Sequence, residues 1–142
     1  MTIFEQERFL FLDDIREPQD AYFYTSNDLY RNANWFVVRS YNEFVRHIQN
    51  NGLPDYISLD HDLGDEHYIS PKNYVNTETL KNHYEENVDT YTEKTGYHCA
   101  EWLVNYCLDN NEKLPRYFCH SMNPVGKEKI ISLLNNFNKR NE

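Results

Sequence analysis

Three short apolar runs in this 142-residue chain stop abruptly on polar side chains. Arg8-Phe9-Leu10-Phe11-Leu12 runs into Asp13-Asp14, Tyr56-Ile57-Ser58-Leu59 into Asp60-His61-Asp62-Leu63-Gly64, and Tyr117-Phe118-Cys119 into His120-Ser121. When several strands of a parallel α/β sheet end this way, their carboxyl ends share one edge, which is where open sheets of this kind bind ligands. The carboxylates of Asp13, Asp14, Asp60 and Asp62, two imidazoles and a hydroxyl then face a single crevice. Grouping so many like-charged or titratable groups is costly without a cation, so the pattern points to a metal site and to phosphate chemistry.

The rest of the chain alternates strand and helix. The first strand covers about residues 8–12, and Trp35 to Ser40 reads as the second. Tyr41 to Asn50 has Phe44, Val45 and Ile48 at helical spacing, and Asn51-Gly52-Leu53-Pro54 stops it. A third strand at about 56–60 is followed by a polar stretch. Thr95 then caps a helix over about 96–109, whose stripe is Cys99, Ala100, Leu103, Cys107 and Leu108. A fourth strand at about 116–120 precedes Asn123-Pro124, which opens a final helix to about Asn136 over Ile130, Ile131 and Leu134. The expectation is one doubly wound, mostly parallel α/β domain of about four strands over residues 1–142. Gln19 to Asn34 reads either as a short irregular helix or as a loop. Residues 65–94 form a polar insertion after the third strand, longer than an ordinary connection; it reads equally as a functional lid and as a surface insertion.

Composition narrows the function classes. A formal charge of −9, with the basic residues scattered, disfavours extended nucleic acid and leaves a small nucleotide or an RNA end as partner. No apolar run approaches the roughly 18 residues of a membrane span, and the first residues lack a secretory pattern, so a cytoplasmic protein without membrane contact is expected. The three cysteines lack metal-knuckle spacing and read as core residues.

Four ordered motifs resemble the cyclic-phosphate-processing receiver-like family. They are Leu12 to Pro18, Ile57 to Gly64, Thr95-Gly96-Tyr97 with Ala100 and Trp102-Leu103, and Cys119 to Gly126. The resemblance implies a receiver-like, flavodoxin-type sheet in which the paired acids after the first strand and the acid ending the third correspond to a receiver's Mg²⁺ site. It also puts Ser121 where a receiver carries its small hydroxyl residue, a hydrogen-bond partner for a phosphate oxygen. The chain departs from the pattern in having no obvious fifth strand or terminal lysine, and in carrying His98 where an acid is expected.

The chemistry can also be argued from the residues alone. Asp13, Asp14 and Asp60 form the expected metal set, with Asp62 completing it or orienting His61. Hard oxygen donors suit Mg²⁺ or Mn²⁺. His61 and His120 end neighbouring strands in a flavodoxin-like order. Placed across one crevice, one would activate water and the other protonate the leaving oxygen. Asn123 and the amides of Val125 and Gly126 begin a helix and form an anion site, with Arg16 and Lys127 as phosphate clamps. The leading expectation is a metal-dependent phosphoesterase acting on a cyclic nucleotide or on a 2′,3′-cyclic phosphate RNA end. The alternatives are a signalling receiver phosphorylated on Asp60 and a nucleotide-sequestering protein without turnover.

Overall fold

The computed structural model describes residues 7–63 and 94–140. The expected lid therefore lies outside the described residues except for Lys94, as does Gly64. The elements follow in the order β1 (Phe9–Leu12), α1 (Pro18–Thr25), α2 (Leu29–Asn32), β2 (Trp35–Val38), α3 (Tyr41–Asn51), β3 (Tyr56–Leu59), α4 (Gly96–Asn110), β4 (Arg116–Cys119) and α5 (Pro124–Arg140). All strand pairs are parallel, in the order β2-β1-β3-β4. This is the doubly wound, flavodoxin-type sheet expected from the sequence.

Residue parity divides the sheet between two cores. Leu10, Leu12, Ile57 and Leu59 point to the face where Phe44 and Ile48 of α3, Leu103 of α4 and Ile130 and Leu134 of α5 pack. Phe11, with Trp35, points to the other face, against Ala21 of α1 and Tyr30 of α2. Alternation of side chains along a strand produces this division. The segment 19–34, open between helix and loop in the sequence, is two short helices. Each buries so little, Ala21 in α1 and Tyr30 in α2, that no helical period could show. α1 begins on Pro18, with the Glu17 amide donating to Asp20 Oδ2 at 2.8 Å.

The helices on the larger core are set by their caps. Ser40, expected in the second strand, instead turns out to accept from the Glu43 amide at 3.1 Å, so β2 stops at Val38. α3 ends at Gly52, whose φ of 82° suits glycine. In α4 the Thr95 hydroxyl accepts from the Tyr97 amide at 3.2 Å, while the Thr95 amide donates to His98 Nδ1 at 2.9 Å. His98 thus does the reciprocal capping work of an acid at that position. Leu108 departs from the expected stripe and is exposed, because the stripe centres on Cys99, Ala100, Leu103 and Cys107 and Leu108 lies past its edge. α5 runs past the expected Asn136 to Arg140, burying Phe137 as a further turn of the same stripe. All three cysteines are buried. No helix among the described residues is long and apolar enough to cross a membrane.

The start of α4 is seated on the end of β3. The Gly96 amide donates to the His61 carbonyl at 2.8 Å, and a Cβ on Gly96 would lie 1.7 Å from the Asp60 carbonyl oxygen. Backbone cannot yield to such an overlap as a flexible side chain can. Gly96→Ala is expected to cost more than about 3 kcal/mol, at or beyond the upper end of ordinary overpacking. Urea denaturation beside the wild type measures it, and a loss under about 1 kcal/mol would show that α4 is not held so closely.

Candidate functional site

The ladder continues one residue beyond each strand. The Asp13 amide donates to the Val38 carbonyl at 3.1 Å, that of Asp60 to Leu12 at 3.0 Å, and that of His120 to Leu59 at 3.0 Å. Since Phe11, Ser58 and Phe118 are register partners, Asp13, Asp60 and His120 form the next row on the same face. One ligand atom from each of the three lies within 4.8 Å of the others, and all three residues are buried. Asp14 follows Asp13 with opposite parity, is half-buried and stands outside that trio. Its charge still bears on Asp60.

His120 reaches across the sheet. Its ring stacks on Phe11 of β1 with centroids 4.2 Å apart, and its Nε2 lies 3.0 Å from Asp13 Oδ2. This span crosses β3 at Ser58, whose side chain is small enough to pass beneath the ring and whose Oγ lies 2.7 Å from His120 Nδ1. Ser58 Oγ in turn lies 2.5 Å from the Tyr30 hydroxyl. Tyr24 of α1 donates to the His120 carbonyl at 2.7 Å. The imidazole is 1% exposed and engaged at both nitrogens, unlike the crevice-facing histidine expected from the sequence.

His61 lies on the opposite face, so the two imidazoles do not face each other across one crevice. Register pairs residue 60 with 120, and the next residue on β3 points away. The His61 ring rests on Gly126 of α5, where a Cβ would come within 2.3 Å of its Cγ. Its Nδ1 lies 2.9 Å from Asp62 Oδ1. Asn123 Nδ2 donates to the Asp62 carboxylate at 3.4 Å, and Asn123 Oδ1 accepts from the Gly126 amide at 3.0 Å. Ser121 is buried, and its hydroxyl accepts from the Asn123 amide at 3.1 Å. A groove of about 780 Å³ opens beside His61, lined by Thr95, Tyr97, His98, Val125 and Lys129 from the starts of α4 and α5.

Arg16 spans the loops over the buried acids. Its guanidinium is 3.7 Å from Asp13 Oδ2, 3.3 Å from the Met122 sulfur and 5.7 Å from the centroid of the Tyr24 ring. Lys127 is exposed in the first turn of α5, and its charge adds to those that disfavour a proton on His120. Arg39, without a signal in the sequence, holds the loop after β1 by donating to the carbonyls of Asp13 at 3.2 Å and Arg16 at 2.7 Å. Ser58 and Tyr30 were also missed. A hydroxyl inside the apolar run Ile57-Ser58-Leu59 was the available clue to the first, and nothing in the tyrosine-rich segment marked the second.

Electrostatics distinguish the two buried aspartates. Burial alone would raise Asp13, but a hydrogen bond from His120 and the amides of Arg16 and Ile15 more than offset it, leaving its pKa at about 2. Asp60 is pushed up to about 7 by burial and then by the charge of Asp13, against one amide bond from His61. Two buried carboxylates whose charges oppose each other fit a divalent cation, and oxygen donors favour Mg²⁺ or Mn²⁺.

An all-parallel sheet with an acidic row at its carboxyl edge defines a receiver-like α/β protein. The model of the cyclic-phosphate processing Receiver domain matches residues 8–136, and the chain belongs to that family. No curated protein and no solved structure matches the chain.

The raised Asp60 pKa makes stability fall with pH in the presence of chelator. Between about 3.8, its ordinary value, and about 7, the folded chain binds a proton that the unfolded chain has released, so each step up in pH favours unfolding. Asp13 acts in the opposite sense, and its contribution is lost as pH falls from 3.8 towards 2. Asp60→Asn retains an acceptor for the His61 amide and removes the charge. It should therefore gain roughly 1–4 kcal/mol over wild type at pH 8 and little at pH 4. Urea melts at both pH values measure this, and a variant less stable than wild type at pH 8 would contradict the assignment.

Proposed function

We propose that this chain is a divalent-cation-dependent phosphoesterase acting on a cyclic phosphate, either a cyclic nucleotide or the 2′,3′-cyclic end of an RNA. The observation that carries the reading is the buried pair Asp13 and Asp60, held in one row and mutually repulsive. The substrate class rests on the family description, cyclic-phosphate processing. The acidic composition supports a small or terminal substrate over an extended nucleic acid.

Asp13 and Asp60 would hold Mg²⁺ or Mn²⁺, and Asp14, outside that row, would add its negative charge from nearby. When bound, the cation supplies positive charge for the phosphoryl oxygens and lowers the pKa of a bound water. Asp62 fixes the His61 ring through Nδ1, which leaves Nε2 for proton transfer to or from the substrate. Asn123 steadies this pair by bonding Asp62 and capping α5 at once. Ser121 and Asn123, with Arg16 and Lys127, would supply donors and charge for the phosphate, whereas the Gly126 amide, expected to join them, is already given to Asn123 Oδ1 at 3.0 Å.

Purified protein incubated with 2′,3′-cyclic and 3′,5′-cyclic nucleotides, with Mg²⁺, Mn²⁺ or chelator, should open one class of ring only when a cation is present. Asp60→Asn should abolish turnover, and His61→Ala should lower it roughly 10²- to 10⁴-fold with cation affinity unchanged. Product separation by chromatography reads the result. Binding without product would favour sequestration, and label on Asp60 from a small phosphodonor, stable in acid but released by hydroxylamine or alkali, would favour signalling.

A further inference from the structure

The hydrogen bonds that enclose His120 fix where its proton resides. We propose that Tyr30 and Ser58 are positioning residues that hold His120 with its single proton on Nε2, so that the imidazole serves Asp13 as a donor and is not itself a cation ligand. Only the last part of this rests on reading Asp13 and Asp60 as cation ligands.

The assignment follows from counting donors along the chain Tyr30, Ser58, His120, Asp13. The Tyr30 hydroxyl is buried against Ser58 Oγ at 2.5 Å, and a buried hydroxyl proton needs an acceptor. If Tyr30 donates to Ser58, the Ser58 proton is free to go to His120 Nδ1 at 2.7 Å, which must then be unprotonated. The ring proton is left on Nε2, 3.0 Å from Asp13 Oδ2. Reversing the order strands the Tyr30 proton and sets a nitrogen lone pair against a carboxylate lone pair. The two ends of the chain therefore select the same tautomer.

The consequence for the cation follows from geometry. A protonated Nε2 has no lone pair to offer, and Nδ1 is turned inward to Ser58. Of the buried trio, the two carboxylates remain as donors to a metal. His120 stands behind Asp13 as an orienting partner, an arrangement that usually matters for metal affinity even without contact with the ion.

The test uses the full chain with ¹⁵N-labelled histidine and long-range ¹H–¹⁵N correlation, the His120 signals being assigned through cross-relaxation with the Phe11 ring. The expected spectrum has a protonated, pyrrole-like Nε2 and a hydrogen-bonded, pyridine-like Nδ1, with the Nε2 proton retained at saturating Mg²⁺. Ser58→Ala should move Nδ1 towards the unbonded value and weaken Mn²⁺, read by electron paramagnetic resonance of the free ion, by about tenfold. Tyr30→Phe should move both in the same direction by less, and it serves alone where Ser58→Ala fails to fold. A proton on Nδ1 in the wild type overturns the proposal, as does loss of the Nε2 proton on adding Mg²⁺. Variants with wild-type Nδ1 and Mn²⁺ affinity would reduce Tyr30 and Ser58 to ordinary core residues. If the wild type binds neither cation, the reading of Asp13 and Asp60 fails while the proton position still decides this assignment.

Discussion

The in-register parallel ladder joining β1, β3 and β4 is the constraint from which the site follows. Because Phe11, Ser58 and Phe118 are partners, the residues two further along each strand must share a row, and those residues are Asp13, Asp60 and His120. A slip of one residue in any strand would turn its member of the row to the other face of the sheet. The site is therefore specified by the hydrogen-bond pattern of the sheet before any loop contributes to it. The two cores, each matched to one face, hold that pattern in place.

The same parity explains what the sequence revealed and what it hid. Strand ends announce themselves because apolar runs break on acids and histidines, so β1, β3 and β4 and the acidic edge were legible. So were α3, α4 and α5, with capping residues and regular stripes of buried positions. The faces were harder to read, since adjacency in sequence suggested proximity. His61 and Asp60 are neighbours in the chain yet belong to opposite sides of the sheet, and His120 faces Asp13 instead of His61. Buried hydrogen-bond partners were the least legible. Ser58 and Tyr30 lie 28 residues apart, and only the packing of α2 on β3 brings them together.

Two different supports meet at this edge. On one face, aromatic rings and a buried polar chain surround His120 and Asp13, in a buried setting where charge is costly. On the other, Asp62, Asn123 and Gly126 secure His61 beside an open groove. Charge is thus concentrated where solvent is excluded, and the accessible imidazole sits where a ligand can approach. Membership of the cyclic-phosphate processing receiver family places this arrangement in a fold whose carboxyl edge is its usual working surface.

Ser58 has a consequence for engineering. It occupies a fully buried strand position among Phe11, Tyr30 and His120, where a procedure that rewards core packing would select valine or isoleucine. Such a residue would fill the channel through which the His120 ring crosses β3 to Asp13. The redesigned sheet could gain thermal stability while its acidic row lost its orientation, the usual conflict between a well-filled interior and a working site. In this protein the path of a side chain through the core shapes the acidic edge, and the small side chain at position 58 leaves room for His120 to reach Asp13.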